Sequence, residues 1–239
     1  SIKFNFFLFV ISFLPSSFSD FKRLLSLGFP TALQMLFEVA IFTGTIILAG
    51  NLGTNPQAAN QIALNLASMT FMIAVGLGVT ATIRVGNQVG LKKYRELRRI
   101  GISIFLLVFL IEAVFALLFV LLKDILPTFY IDNAEVISLA AQLLVIAALF
   151  QLSDGIQVVI LGALRGLQDV KIPTVFCFIA YWIIGFPVSF YYGQPERLGS
   201  MGIWLGLLAG LTASAIMLYF RFNYLSRKLI RTKEAKLKT

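Results

Sequence analysis

Six long apolar stretches constrain this chain more than any other feature of its sequence. A helix needs about 20 mostly apolar residues to cross the hydrocarbon core of a bilayer, and each stretch reaches that length. Because a backbone inside lipid must satisfy its own hydrogen bonds, such stretches fold as helices. The sequence therefore predicts an all-α membrane protein, a bundle of six transmembrane helices. The predicted spans are residues 24–49, 57–86, 99–122, 135–163, 172–192 and 199–220.

The basic residues predict how these spans lie in the membrane. The 239-residue chain is 59% hydrophobic and 13% charged, with a net charge of +9. Lysine and arginine crowd into every second loop and the C-terminal end, whereas the alternate loops hold only Lys123 and Arg197. Basic loops stay in the cytoplasm, so we expect both termini there, in an inner or plasma membrane. These basic residues are spread over alternate loops, including Arg165 and Lys171, and form no single patch that could bind nucleic acid. The expected partner is the lipid bilayer.

The chain divides into three predicted parts. Residues 1–19 are a linker or interfacial segment, because their apolar stretch 6–14 is too short to span and ends at Pro15. Residues 20–226 form the six-helix transmembrane lobe. Residues 227–239 are a basic cytoplasmic tail, solvated or facing anionic lipid.

Two residue types are almost missing, and their scarcity excludes several kinds of chemistry. The chain has no histidine and a single cysteine, Cys177. A Ser-His-Asp or Cys-His catalytic group, an internal disulfide and a cysteine-cluster metal site are therefore impossible. We expect Cys177 to be a packing residue, and the protein to be neither an enzyme nor the holder of a bound cofactor.

Three acidic residues lie near the middle of predicted spans: Glu38, Glu112 and Asp154. A charged side chain at the centre of a membrane helix costs about 2.5–3.5 kcal/mol on insertion scales. Such residues usually face the inside of a bundle or an aqueous cavity, where they serve transport. These acids are therefore the first candidates for a functional site.

Polar side chains recur at helical spacing around two of these acids and on the second span. Residues three, four or seven positions apart share one helix face, so the three faces could together line one polar cavity. Around Glu38 the predicted lining residues are Gln34 and Thr45; around Asp154, Gln151 and Gln157; and on the second span, Gln61, Asn65, Ser68 and Met72.

Two interpretations of Glu38 and Asp154 remain open at this point. They could be hydrogen-bonded between helices, although glutamine and asparagine would do this without a titratable group. Alternatively they could bind a proton, or bind Na⁺ together with nearby amide and hydroxyl oxygens. Glu112 has only apolar neighbours along the chain, and it is either a buried partner of another helix or a second residue of an ion path.

Prolines interrupt two spans and are candidate hinges. Pro30 lies in the first span and Pro187 in the fifth. Proline inside a helix removes a backbone hydrogen bond and kinks the helix, and transporters use broken helices around central sites. Gly76 and Gly78 in the second span are more simply explained by close helix packing.

Two long segments resemble a known family of transporters. The segment LGFPTALQMLFEVAIFTGTIILAGNLGTNPQAANQIALNLASMTFMIAVGLGVTATIRVGNQVG is similar to the seventh and eighth helices of the multidrug and toxic compound extrusion (MATE) transporters. The segment FQLSDGIQVVILGALRGLQDVKIP is similar to their tenth helix and the loop that follows. The resemblance runs from about Asp20 to Tyr224, and the chain looks like the second, C-terminal six-helix lobe of a twelve-helix protein of the NorM-like branch.

The resemblance implies an antiporter that exports amphipathic, often cationic, drugs in exchange for Na⁺ or H⁺ by alternating access. Its partner would be the N-terminal six-helix lobe, absent from this chain, with residues 1–19 as the linker. Glu38 matches the family's seventh-helix glutamate and Asp154 its tenth-helix aspartate, the C-lobe cation site of the sodium-coupled members. Phe150 replaces a tyrosine found in some members, which weakens the sodium assignment, and Glu112 has no family counterpart.

Two other functions stay open from the sequence. A lipid-linked oligosaccharide flippase of a related fold would need several basic residues in its cavity, and only Arg84 approaches the membrane interior. A non-transporting scaffold or half-gene product is the other alternative, because one lobe alone has nothing to rock against.

Overall fold

Six membrane-length helical stretches make up the structure, a computed structural model that describes residues 18–236. Each stretch is long and apolar enough to cross a membrane, and no strand occurs within the described range. The all-α membrane fold is therefore confirmed. The helices are α1 (Phe18–Asn51), α2 (Thr54–Gly90), α3 (Tyr94–Leu121), α4 (Ala134–Gly166), α5 (Lys171–Phe178), α6 (Phe186–Tyr192) and α7 (Ser200–Lys236), with a 3₁₀ turn at Leu126–Phe129.

The predicted spans lie inside longer helices. α1 begins at Phe18, before the predicted lobe boundary, and α7 continues to Lys236, far past the predicted end of the last span at 220. The basic residues from 227 to 236 thus continue the helix α7. The predicted linker at 1–19 lies almost entirely outside the described residues, as do residues 237–239.

Helix α4 is the centre of the bundle. It packs most extensively against α2, and then against α7 and α3. Buried residues cover it on nearly all sides in its second half, which is the pattern of a helix enclosed by others. Helix α1 lies at the edge, held mainly against α5 and α2. Its far side exposes large apolar residues, such as Leu36 and Ile47, which suits lipid or another protein surface.

A row of glycines brings α2 and α4 into backbone contact. A Cβ added at Gly162 would overlap the carbonyl group of Gly78, and one added at Gly166 would lie 2.6 Å from the Thr82 carbonyl oxygen. The Thr82 hydroxyl donates to the backbone oxygens of Gly78 and Gly162 at 3.0 and 2.9 Å. We call this contact the glycine seam (Gly78, Thr82, Gly86, Gly162, Gly166). Small residues let membrane helices approach closely, and the packing interpretation of Gly78 is confirmed.

The two candidate hinge prolines have different surroundings. Helix α1 continues through Pro30 without a break, and the Thr174 hydroxyl donates to the Pro30 carbonyl oxygen at 3.0 Å. The fifth span is irregular just before Pro187, because Ile179–Gly185 forms a π-helix between α5 and α6. Single π turns in membrane and soluble helices often mark functional positions. The irregularity thus immediately precedes α6, and the chain stays helical into Pro187, because Gly185 and Phe186 keep helical backbone angles.

Candidate functional site

Glu38 and Asp154 line the same cavity, although they are 116 positions apart in the sequence. The cavity has a volume of about 390 Å³ and lies between α1, α2 and α4. Asp154 is only 5% exposed, and Glu38 is half-buried. The two carboxyl groups interact electrostatically. The lining residues are Glu38, Val39, Phe42 and Ile46 of α1, Gln61, Leu64, Asn65, Ala67, Ser68 and Phe71 of α2, and Phe150 and Asp154 of α4.

The α2 wall supplies the neutral polar groups of the cavity. Gln61, Asn65 and Ser68 are spaced by four and three residues and therefore share one helix face. The Ser68 hydroxyl donates to the Asn65 backbone oxygen at 2.7 Å. The Tyr130 hydroxyl, from the segment between α3 and α4, donates to Asn65 Oδ1 at 2.8 Å. Tyr130 was not among the predicted site residues. Its hydroxyl bonds the oxygen of the Asn65 side chain, which leaves the amide N–H groups of Asn65 to face the cavity.

Aromatic side chains form the apolar part of the cavity. Phe42 and Phe150 meet edge to face, with ring centroids 6.0 Å apart, and Phe150 packs in the same way on Trp204 at 5.3 Å. Phe71 adds a third ring to the lining. Phe150 is itself fully packed, so the position one turn before Asp154 contributes an apolar surface and no oxygen.

Five of the predicted lining residues lie elsewhere in the structure. Met72 is 66% exposed, and the other four are buried in helix contacts. Each buried side chain has a partner: Gln34 donates to the Thr174 hydroxyl at 3.0 Å, Thr45 donates to the Phe42 carbonyl at 2.7 Å, Gln151 accepts from Thr70 at 3.0 Å, and Gln157 contacts the Tyr181 hydroxyl. The three glutamines join helices, whereas Thr45 bonds within its own helix. The polar lining of the cavity is left to Gln61, Asn65 and Ser68 beside the two acids.

The charge pattern predicted Arg165 to be a loop residue, but in the structure it belongs to a helix. It lies in the last turn of α4, eleven residues after Asp154 and therefore close to the same helix face. Its guanidinium donates to Gln34 Oε1 at 3.2 Å and interacts electrostatically with Glu38. The eleven-residue spacing from Asp154 was the sequence signal that could have placed Arg165 near this helix face. A half-buried positive charge thus stands at one end of the carboxyl pair.

Glu112 is buried in α3, away from the cavity lining. It is 1% exposed, and a Cβ added at Gly155 would lie 2.7 Å from its Cγ. It therefore packs against Gly155, the residue that follows Asp154 in α4. Within residues 18–236 no group of three histidine, cysteine or acidic side chains converges as a metal site. The groups that could bind a hard cation are the carboxylate, amide and hydroxyl oxygens of the cavity.

Comparisons with known proteins identify the family. The family model MatE matches residues 30–191. The chain is 40% identical over 222 residues to the multidrug resistance protein NorM of Vibrio vulnificus (strain YJ016), covering 91% of this chain and 48% of that protein. It is 38% identical over 215 residues to the multidrug resistance protein MdtK of Proteus mirabilis (strain HI4320), covering 88% and 47%.

A solved structure has the same fold. The crystal structure of the eukaryotic MATE transporter AtDTX14 superposes with a TM-score of 0.79 at 19% identity, over 90% of this chain and 50% of that one. The chain therefore spans about half the length of the relatives it matches. We conclude that it belongs to the MatE family of transporters and folds as one six-helix lobe of that family's structure.

Proposed function

We propose that this chain is the C-terminal half of a cation-coupled antiporter that exports amphipathic cationic drugs. The observation that carries the proposal is the meeting of Glu38 and Asp154 in one cavity between three helices. A carboxyl pair at membrane depth can load a proton or Na⁺ at one membrane face and release it at the other. Drug and cation then compete for the same negative charge, which is the basis of exchange.

The lining of the cavity supports an amphipathic cationic substrate. Binding pockets for small molecules are mostly apolar, with a few polar groups that fix orientation. Here the rings of Phe42, Phe71 and Phe150 provide the apolar surface, and aromatic faces attract cations. Glu38 and Asp154 provide the negative charge. The names of the relatives, multidrug resistance proteins NorM and MdtK, agree with this substrate class.

The position of the cavity supports alternating access with a second lobe. Val39, which lines the cavity on α1, is exposed, and so is Met69, the neighbour of the lining residue Ser68 on α2. An N-terminal six-helix lobe packed on this side would close the cavity, and rocking of the two lobes would open it to each membrane face in turn. The proposal places both termini of this chain in the cytoplasm, following its basic loops.

Transport by the full-length antiporter in proteoliposomes tests the proposal. Glu38→Gln or Asp154→Asn should reduce cation-driven drug export to the level of empty vesicles, because each amide keeps the side chain's shape but removes the negative charge and the titratable proton. Glu196→Gln is the matched control, since Glu196 is exposed and remote from the cavity, and it should export normally. Export by Glu38→Gln at the rate of this control would refute the proposal.

The same vesicles identify the coupling ion. Drug export is measured with a Na⁺ gradient at equal pH on both sides, and with a pH gradient in the absence of Na⁺. Coupling to Na⁺ predicts export in the first condition alone, and coupling to H⁺ predicts export in the second alone. Equal export without either gradient would exclude an antiporter.

A further inference from the structure

Glu112 is the acid at membrane depth that the proposed cavity does not use. It lies in the middle of α3 and is 1% exposed. Neither of its carboxylate oxygens has a hydrogen-bond partner among the residues that the structure describes. Desolvation strongly disfavours a buried carboxylate that has no hydrogen-bond donors. These surroundings therefore accept the neutral, protonated form of Glu112.

The Glu112 side chain packs against Gly155, the residue that follows Asp154 in α4. Gly155, the next residue of α4, has no side chain, and a Cβ placed there would be 2.7 Å from Glu112 Cγ and 3.3 Å from its Oε1. Asp154 Oδ1 likewise has no partner within the described part of the chain. Two unpartnered carboxyl groups are thus neighbours, and only Asp154 also reaches the cavity.

The polar residues around Glu112 bind its backbone and not its side chain. Gln151 Nε2 donates to the Glu112 carbonyl oxygen at 3.3 Å, and Gln151 Oε1 accepts from the Thr70 hydroxyl at 3.0 Å. These bonds fix the level of α3 against α2 and α4. The carboxyl group is thus held in place, but no donor of the described residues forms a hydrogen bond to it.

No other charged group of the neighbouring helices lies at this level of the bundle. With a rise of about 1.5 Å per residue, Arg84 of α2 lies about 20 Å along the helix from Thr70. On α4, Arg165 and Glu135 are about 16 and 28 Å from Asp154 by the same rise. On α7, Arg221 is about 13 Å from Thr212, which bonds Ser153 beside Asp154. Asp154 is therefore the titratable group that faces Glu112.

We propose that Glu112 is a second proton-binding carboxyl, which exchanges its proton with Asp154 from behind the cavity. In the exchange, the acid proton leaves an oxygen of Glu112 and bonds to an oxygen of Asp154. Glu112 becomes the carboxylate and Asp154 the neutral acid, and the reverse transfer restores the first state. The inference rests on the proposed function, because it assigns Asp154 to cation coupling. It extends the coupling site by one carboxyl that no drug molecule in the cavity touches.

Infrared difference spectroscopy of the full-length protein during a pH titration tests this exchange without any transport. Protonated carboxyl groups absorb separately from carboxylates, so each titrating acid gives its own carbonyl band. Glu112→Gln should remove one such band and shift the band of Asp154, and Asp154→Asn should shift the band of Glu112. The control Glu196→Gln should leave both bands unchanged. Identical bands in the wild type and Glu112→Gln would overturn the proposal.

A second variant keeps the test decisive if Glu112→Gln does not fold. Gly155→Ala retains both acids but places a methyl group against the Glu112 side chain, and it should shift the Glu112 band; an unshifted band would contradict the proposal. The two proposals fail in distinguishable ways. Drug export by Asp154→Asn at the wild-type rate would refute the antiporter mechanism, whereas missing Glu112 bands would refute the proton exchange alone.

Discussion

Replacing Gly162 with alanine should force the glycine seam apart. The added Cβ would lie 2.8 Å from the carbonyl carbon of Gly78 and 3.0 Å from its Cα, whereas carbon atoms in contact are about 3.5–4.0 Å apart. The obstacle is backbone, which cannot rotate away as a side chain can. Helices α2 and α4 must therefore separate by at least about 0.5–1 Å, the difference between these distances, and by more to clear the Gly78 carbonyl oxygen, which the added Cβ would overlap.

The cost of this separation can be worked out against a matched control. Gly86 lies in the same seam, but a Cβ there would be 3.6 Å from the nearest atom, the Gly166 carbonyl oxygen, so Gly86→Ala fits. Both changes gain the same helix propensity of about 1 kcal/mol, which cancels in the comparison. Overpacking at Gly162 costs about 1–3 kcal/mol, and stretching the Thr82 hydrogen bond costs about 1 kcal/mol. Gly162→Ala should be about 2–4 kcal/mol less stable than Gly86→Ala.

Unfolding of the purified chain in mixed micelles measures this difference. Titration with sodium dodecyl sulfate is followed by the fluorescence of Trp182 and Trp204, and the free energies of unfolding of the two variants are compared. Equal unfolding midpoints for Gly162→Ala and Gly86→Ala would refute the reasoning, because they would show that α2 and α4 do not meet backbone to backbone.

Two further substitutions test the helix contacts around the site by the same unfolding assay. Asn133 caps α4 by accepting from the backbone N–H of Glu135 at 3.0 Å, so Asn133→Ala should cost about 1 kcal/mol, and Asn133→Asp should be close to the wild type; equal losses for both would exclude the cap. Trp204 donates to the buried Asn60 Oδ1 at 2.9 Å, so Trp204→Phe should cost about 1–3 kcal/mol by leaving that oxygen unpaired. The additional change Asn60→Leu should recover part of this loss, and a purely additive double variant would contradict the hydrogen bond.

Hydropathy was sufficient to predict the six spans but not their ends. Lipid selects apolar residues only across the hydrocarbon core, whereas a helix can continue into the aqueous side with charged residues. This is why α7 extends to Lys236, although its apolar stretch ends near residue 220. The π-helix at Ile179–Gly185 was likewise not predictable, because its residues are as apolar as those of a regular span.

The site residues that could be predicted were those whose charge is costly to place in the middle of a membrane. Glu38 and Asp154 attracted attention as charges at membrane depth, and they share a cavity. Helical spacing alone could not separate the polar residues that line it from those that join helices. Gln34 and Asn65 look alike in the sequence, but Gln34 is bonded to Thr174 and buried, whereas Asn65 faces the cavity. Which partner a side chain meets depends on contacts between distant segments.

The glycine seam also determines which parts of this lobe can shift relative to each other. Along the seam, the two helices have no large side chains between them that could change rotamer, so α2 and α4 move there together as one body. Asp154 belongs to that body, whereas Glu38 belongs to α1, which is attached mainly to α5. The separation between the two carboxyl groups therefore depends on the tilt of α1, and a small change in that tilt is enough to create or dissolve a site that requires both of them.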